Sequence, residues 1–171
     1  MSPARRNTNQ RLGELLIRRG LLEPWQVEAA LEEQHVTRQF LGAILVQRGW
    51  ISEDALLAAL AEQFGIRWGH LAAEPVDWTL APRFPFTALK EHACFPLRMD
   101  ANEVVVAIAN PLNAWAISEL ERLTQPRKVQ LVLAPIAEIH AALHRSIREA
   151  LERSVPRPLE SESDDGDTQE A

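Results

Sequence analysis

The chain contains a tandem repeat, and this repeat constrains the fold more than any other feature of the sequence. The two copies are RLGELLIRRGLLEPWQVEAALEEQ at residues 11–34 and FLGAILVQRGWISEDALLAALAEQ at residues 40–63, so equivalent residues lie 29 positions apart. Ten of the 24 positions are identical. Because a fixed internal period indicates one structural unit used twice, the sequence predicts two similar units that pack on each other.

Each repeat has the pattern of two short helices. In the first repeat, leucines at helical spacing precede Gly20, a residue suited to a left-handed helix end, and Pro24 is tolerated in the first turn of a second helix. In the second repeat, Gly49 ends the first helix and Ser52 is placed to cap the next. One helix pair could not bury its apolar stripe alone, so the sequence predicts a four-helix bundle over residues 11–64.

The pattern changes after residue 64. Residues 65–92 are interrupted by glycine and proline and form a predicted connecting segment with a short helix near its end. Residues 93–154 contain three predicted strands and two predicted helices, with a turn at 100–102 that indicates a hairpin. The predicted fold class is therefore α+β, with an N-terminal four-helix tandem-repeat bundle followed by a small α/β-sandwich-like domain of about three strands.

Charge and composition exclude several classes of protein. The net charge of −6 resides in residues 159–171 of the acidic tail (155–171), which hold six acidic residues and no basic one, because the 18 acidic residues of 1–158 balance the 18 basic ones. We expect this tail to be disordered and the polar residues 1–10 to be flexible. A folded part of balanced charge argues against binding to a nucleic-acid polymer. The single cysteine, the absence of a signal peptide and the lack of a long apolar run favour a cytoplasmic protein without a membrane span.

The residues that recur at equivalent positions include some that core packing does not require. Glycine recurs at 13 and 42, near the predicted helix starts, where it lets another group approach the backbone. Glutamine recurs at 34 and 63, and its amide can read the edge of a base. Arg11 can pair with a phosphate or stack on a base. The alternative is that the glycines serve close helix packing and the glutamines are solvated.

The repeat resembles the tandem motif of MshEN domains, the N-terminal domains of type II secretion and type IV pilus assembly ATPases. The resemblance rests on the pattern LGxxLxxxG followed by LxxxLxxQ (with Val27 at the first of these leucines in the first unit), and on the five-residue spacer between the units. The segment EVVVAIANPLNAWAISELERLT looks like the α/β half of the same domain, so the resemblance covers about residues 11–150.

This resemblance implies that the chain binds cyclic di-GMP, a ligand of two equivalent halves. By motif position, the implied contacts are Arg11, Leu12, Gly13, Leu16 and Gln34 in the first unit and Leu41, Gly42, Leu45 and Gln63 in the second. Phe40 stands where the first unit has Arg11, so the two half-sites differ. Asn110 occupies a place where these domains often have aspartate, so any contact there would have lost its charge.

The sequence therefore predicts a bacterial cyclic di-GMP receptor domain that is not an enzyme, that needs no cofactor and that acts on an effector or on a secretion or pilus component. The phosphate-binding pattern GxxxxGK[ST] of an ATPase is absent from the sequence. The alternative is a protein–protein adaptor domain of a secretion or pilus system that binds no nucleotide.

Two further patterns carry little functional weight. His140 and His144 are four residues apart on a predicted helix and could share a metal ion, but no acidic or cysteine ligand accompanies them. Cys94 lies in a predicted strand, where packing is a better explanation than nucleophilic chemistry. We therefore predict no metal site and no catalytic residue.

Overall fold

The two repeats fold into four helices, as the spacing of their apolar residues predicts. A computed structural model describes residues 3–154, with side chains from Arg11 onward. Each repeat contributes a helical hairpin, and the helices are α1 (Pro3–Arg18), α2 (Pro24–Thr37), α3 (Leu41–Gln47) and α4 (Glu53–Phe64).

The helix ends reproduce the signals in the sequence. Gly20 and Gly49 both have a φ of 68°, a left-handed conformation that glycine adopts without a steric penalty. The residue after each glycine donates a backbone hydrogen bond that closes the end of the helix. Leu21 N–H donates to Leu16 O (3.0 Å), and Trp50 N–H donates to Leu45 O (3.1 Å). The two hairpins therefore turn in the same way.

The first helix is longer than predicted. It begins at Pro3, so it covers residues 3–10 of the segment that the sequence predicts to be flexible. Polarity shows only that a residue has no apolar surface to bury. It does not prevent a polar segment from continuing a helix whose other end is packed, and Pro3 is compatible with the first turn.

The two hairpins pack with approximate two-fold symmetry. Helix α1 lies against α4, and α2 lies against α3, so each hairpin contacts the other through the opposite member of the pair. Arg19 pairs with Glu62, while Arg48 pairs with Glu33 at 2.6 Å, and these four residues occupy two equivalent positions of the repeat. Such reciprocal contacts are the mark of an isologous interface, here formed within one chain.

The second half of the chain contains a four-stranded mixed sheet, one strand more than predicted. Its strands are β1 (Arg67–Trp68), β2 (Cys94–Met99), β3 (Glu103–Ile108) and β4 (Lys128–Leu133). The order across the sheet is β1-β4-β3-β2, with β2 antiparallel to β3 and the other two pairs parallel. The turn between β2 and β3 is held by Asp100, whose carboxylate accepts hydrogen bonds from the backbone N–H of Asn102 and Glu103.

Three helices and two short 3₁₀ segments complete the described residues. The helices are α5 (Phe86–Glu91), α6 (Ala114–Thr124) and α7 (Ile136–Ser154), and the 3₁₀ segments are Leu71–Ala73 and Ala81–Arg83. Helix α7 packs against β2 and β3. Buried residues of the bundle and of the sheet belong to one hydrophobic cluster, which runs from Leu12 to Leu143.

The α+β fold class is confirmed, with the four-helix repeat preceding the sheet. In the described part of the chain, no helix is long and apolar enough to cross a membrane. The acidic tail predicted for residues 155–171 lies outside the described residues.

Candidate ligand-binding site

A cavity of about 420 Å³ lies where the helical bundle meets the α/β half. This volume is in the range of small-molecule sites. The bundle supplies most of its wall, and the α/β half supplies four residues. The lining residues are Leu12, Phe40, Leu41, Gly42, Ala43, Val46, Gln47, Glu53, Leu56, Leu60, Ala109, Asn110, Leu112 and Ile136.

Three of the predicted contact residues line this cavity together. They are Leu12 from the first repeat and Leu41 and Gly42 from the second. Leu12 and Leu41, which are equivalent residues of the two repeats, therefore line one cavity, whereas Gly13 does not line it. Arg11 precedes Leu12 on α1, and its side chain is exposed. Arg11 makes no ion pair with any residue whose side chain is described; it lies in the middle of α1 and does not itself line the cavity.

Two other predicted contacts lie in the core. Leu16 and Leu45 have no exposed surface and do not line the cavity. In this structure they belong to the hydrophobic core, on the same helices as Leu12 and Leu41. Leucine at helical spacing is equally suited to a core and to a ligand surface, so the sequence could not separate the two roles.

The repeated glycines permit close packing of the helices within each hairpin. A Cβ atom on Gly13 would lie 2.7 Å from Cγ1 of Val27, and one on Gly42 would lie 2.8 Å from both Cδ atoms of Leu56. Gly13 is in the interior of α1, so the expected position near a helix start is wrong for this residue. Gly42 is the second residue of α3, and it both packs on Leu56 and lines the cavity.

The two glutamines lie at the ends of α2 and α4. Gln34 is buried, and its amide nitrogen donates a 2.7 Å hydrogen bond to the backbone oxygen of Gln39 in the linker between the repeats. Gln34 therefore fixes the linker that leads to Phe40 and the cavity. Gln63 is half-buried near the end of α4. Neither glutamine lines the cavity.

Most of the cavity wall that comes from α4 and the α/β half was not predicted from the sequence. Glu53 at the start of α4 accepts a 3.0 Å hydrogen bond from the backbone N–H of Ile136 at the start of α7, and both residues line the cavity. Asn110 lines it too, and its side-chain oxygen accepts a 2.9 Å hydrogen bond from the backbone N–H of Leu112. The Asn-Pro pair at 110–111 was the one signal in the sequence that pointed to this loop.

A charged cluster ties the bundle to the α/β half beside Glu53 and Ile136. Nδ1 of His70 lies 2.6 Å from Glu138 of α7, and Nε2 lies 3.6 Å from Asp54 of α4. The hydrogen bond and charge of Glu138 raise the pKa of His70, to which Asp54 adds. Burial alone would raise the pKa of Glu138, but its hydrogen bonds to His70 and the Leu71 N–H lower it below the usual value.

The remaining candidates carry no site in this structure. Cys94 is buried, and the burial raises the pKa of its thiol to about 12, so the sulfur stays protonated. His140 and His144 are both exposed on α7. Among the described residues, no group of three histidine, cysteine, aspartate or glutamate side chains is arranged to hold a metal ion.

Together these features define an α+β domain whose internal helical repeat and sheet share one cavity of ligand size. The chain belongs to the MshEN domain family, whose profile matches residues 64–153. That match covers the α/β half, so the repeat provides a separate line of evidence from residues outside it.

Similar proteins agree with this assignment. The type IV pilus assembly ATPase PilB of Myxococcus xanthus is 32% identical over 143 residues, which is 84% of this chain and 24% of PilB. The chain thus spans about a quarter of the length of that relative. The solved structure of MshE with cyclic di-GMP is similar at a TM-score of 0.72 and 26% identity, covering 80% of this chain and 98% of that one. The N-terminal domain of XpsE shares the fold, with a TM-score of 0.64 and 20% identity, covering 81% and 94% of the two chains.

Proposed function

We propose that this chain is a receptor domain for cyclic di-GMP and that the ligand binds in the cavity between the bundle and the α/β half. The observation that carries the proposal is that Leu12 and the Leu41-Gly42 pair, which are equivalent corners of the two repeats, line the same cavity. The similarity to MshE, whose structure was solved with this ligand, supports the choice of ligand.

The cavity offers chemistry that suits a guanine dinucleotide. Leu12 and Leu41 present apolar surface for the faces of the bases and riboses, and Gly42 leaves the backbone open to close approach. Arg11 supplies a positive charge next to Leu12 for a phosphate or a base edge. The approximate symmetry of the hairpins suits a ligand with two equivalent halves, while Phe40 in place of a second arginine makes the half-sites unequal.

The wall from the α/β half gives the ligand a means of control. A molecule in this cavity would touch α3 and α4 on one side and the loop at Asn110 and the start of α7 on the other. Binding would therefore stabilise one arrangement of the two halves, because a ligand shifts an equilibrium toward the state that binds it better. In this proposal the chain acts by binding, without catalysis, in the cytoplasm and on an effector such as a secretion or pilus component.

Thermal unfolding with and without cyclic di-GMP tests the proposal. A ligand at 100 times its dissociation constant stabilises the folded state by about 2.7 kcal/mol, which raises the melting temperature by several degrees. GTP at the same concentration is the control for nonspecific nucleotide binding. No shift at saturating cyclic di-GMP would refute the proposal and favour the adaptor function.

Calorimetric titration of the Arg11→Ala variant tests the role of the arginine. Loss of a charge-assisted contact weakens binding by about 1–3 kcal/mol, or roughly five- to 150-fold. The matched control is Arg148→Ala, since Arg148 is exposed on α7 and does not line the cavity. Equal affinity of the wild type and Arg11→Ala would remove Arg11 from the site.

A further inference from the structure

The outer surface of α2 carries apolar residues that neither the core nor the cavity uses. Helical spacing along this surface aligns Trp25, Ala29, Glu32 and Val36, and Trp50 from the second hairpin, which is half-buried against the core, lies beside them. We refer to these five residues as the α2 face. Trp25 is 59% exposed and Val36 is 83% exposed. Large apolar side chains left in solvent mark interaction surfaces when they cluster, and tryptophan is the residue most enriched at binding hot spots.

The α2 face borders a groove and is separate from the proposed ligand site. Trp25 and Trp50 meet edge to face, with ring centroids 5.5 Å apart, so the two indoles hold each other in place. Beside them lies a groove of about 420 Å³, lined by Ala29, Glu32, Glu33, Val36, Arg48 and Trp50. None of these residues lines the ligand cavity.

The symmetry of the hairpins gives an independent reason to expect a partner here. Residues 29 positions further along occupy the matching surface of α4, where Asp54 is equivalent to Trp25 and Ala61 is equivalent to Glu32. The α/β half partly covers that surface, because Asp54 contacts His70, Ala61 is buried and α4 packs against β1. The α/β half thus docks on one of two equivalent faces, and the α2 face is the one that it leaves open.

The charges around the groove define the chemistry of the partner. Arg48 is held by Glu33 through hydrogen bonds of 2.6 and 2.9 Å. Glu28 and Glu32 are exposed and make no ion pair with any described residue, so the groove has a net negative edge. A second copy of the chain would bring the same carboxylates against each other, which disfavours self-association through this face.

We propose that the α2 face binds an amphipathic helix of a partner protein, with an apolar stripe for Trp25, Trp50 and Val36 and flanking lysine or arginine residues for Glu28 and Glu32. An amphipathic helix bound in the groove would place its apolar side chains, which recur at helical spacing, against the apolar residues of the α2 face. This is a common mode of helix recognition. This proposal is independent of cyclic di-GMP, since the face and the cavity share no residue.

The test uses three fluorescein-labelled 18-residue peptides and the full chain, with anisotropy measured at physiological salt. The peptides are a leucine–lysine amphipathic helix, a leucine–glutamate helix of the same pattern and a scrambled leucine–lysine peptide. We expect saturable binding of the leucine–lysine helix and at least tenfold weaker binding of the other two. Trp25→Ala and Glu32→Lys should each weaken binding of the leucine–lysine helix at least tenfold.

Matched controls separate the α2 face from general stickiness. Trp115 is 63% exposed and contacts the ring of His92, so Trp115→Ala removes a comparable tryptophan elsewhere. Glu121→Lys makes the same charge change at an exposed position of α6. Both controls should bind like the wild type, and circular dichroism should show that all variants are folded.

Three outcomes would overturn the proposal. One is the absence of saturable binding to the wild type. Another is equal binding of the scrambled peptide, because binding would then depend on composition and not on an amphipathic helix. The third is a dimer of the wild-type chain in analytical ultracentrifugation that the Trp25→Ala variant does not form. The occupant of the α2 face would then be a second copy of the chain.

Discussion

Gly13 and Gly42 occupy the same position in the two repeats, yet their neighbours differ in how far they can move. Gly13 faces Cγ1 of Val27, a short side chain that is stiff about χ1 and is buried between helices. Gly42 faces the far end of Leu56, which is longer and only half-buried. One repeated residue therefore has two different structural consequences.

Gly13→Ala should destabilise the fold. Alanine favours a helix interior over glycine by up to about 1 kcal/mol, but a Cβ 2.7 Å from Val27 overpacks the hairpin, which costs about 1–3 kcal/mol. We expect a net loss of unfolding free energy in urea denaturation. Gly69→Ala is the control, since the nearest atom to its Cβ would be Glu74 Oε1 at 3.8 Å. A stability equal to that of the wild type would show that the hairpin can open without cost.

Gly42→Ala should mainly affect binding. The Leu56 side chain can rotate away from the new methyl group, so we expect a smaller loss of stability than for Gly13→Ala. Leu56 also lines the cavity, and its displacement should weaken the binding of cyclic di-GMP about tenfold. Isothermal titration calorimetry measures this affinity. Unchanged affinity in Gly42→Ala would mean that the ligand does not depend on this wall.

At the scale of elements, the joint between the bundle and the α/β half depends on His70. This residue follows β1 and reaches Glu138 on α7 and Asp54 on α4, so one imidazole bridges three elements. Glu53, next to Asp54, holds the first N–H of α7 in the same region. The joint is therefore polar on the side that borders the cavity.

Stability should depend on pH through this joint. The raised pKa of His70 means that its contribution is complete at low pH and is lost as the pH rises through the folded-state pKa. The lowered pKa of Glu138 has the opposite effect, so its contribution is lost in acid. Urea denaturation from pH 5.5 to 8.5 should show a decline on the alkaline side that His70→Gln removes. His140→Gln, on the exposed surface of α7, should keep the wild-type slope, and an identical slope in His70→Gln would contradict the assignment.

The sequence predicts those helices and strands whose limits are set by neighbouring residues along the chain. Ser52 caps α4 by accepting a 3.2 Å hydrogen bond from the Ala55 N–H, and Gly20 and Gly49 end their helices as their residue type indicates. Strand β1 was missed because it has two residues, both exposed, and exists only through its parallel pairing with Val132 and Leu133 of β4. No local pattern can indicate a strand that a distant segment creates.

At the scale of the whole molecule, the cavity shows where prediction from sequence ends. The repeat identifies Leu12 and Leu41-Gly42, because equivalent residues that recur invite a shared role. The other half of the chain completes the wall with Ala109, Leu112 and Ile136. Neither the type of these residues nor the pattern around them in the sequence distinguishes them from ordinary core residues. Their role depends on the docking of the sheet against α4, which is a property of the tertiary structure alone.

Because both halves form the wall, ligand binding should be visible in both. Hydrogen exchange followed by mass spectrometry should show protection by cyclic di-GMP in residues 40–60 of the bundle, and also at 109–112 and at the start of α7. The outer surface of α2 lies outside the cavity and supplies the internal control, with no change expected at 25–36. Glu53→Gln weakens the hydrogen bond to Ile136 and should reduce protection at α7 more than in the bundle. Protection confined to the repeats would show that the ligand does not link the two halves, and the proposed control of an effector through the α/β half would then be wrong.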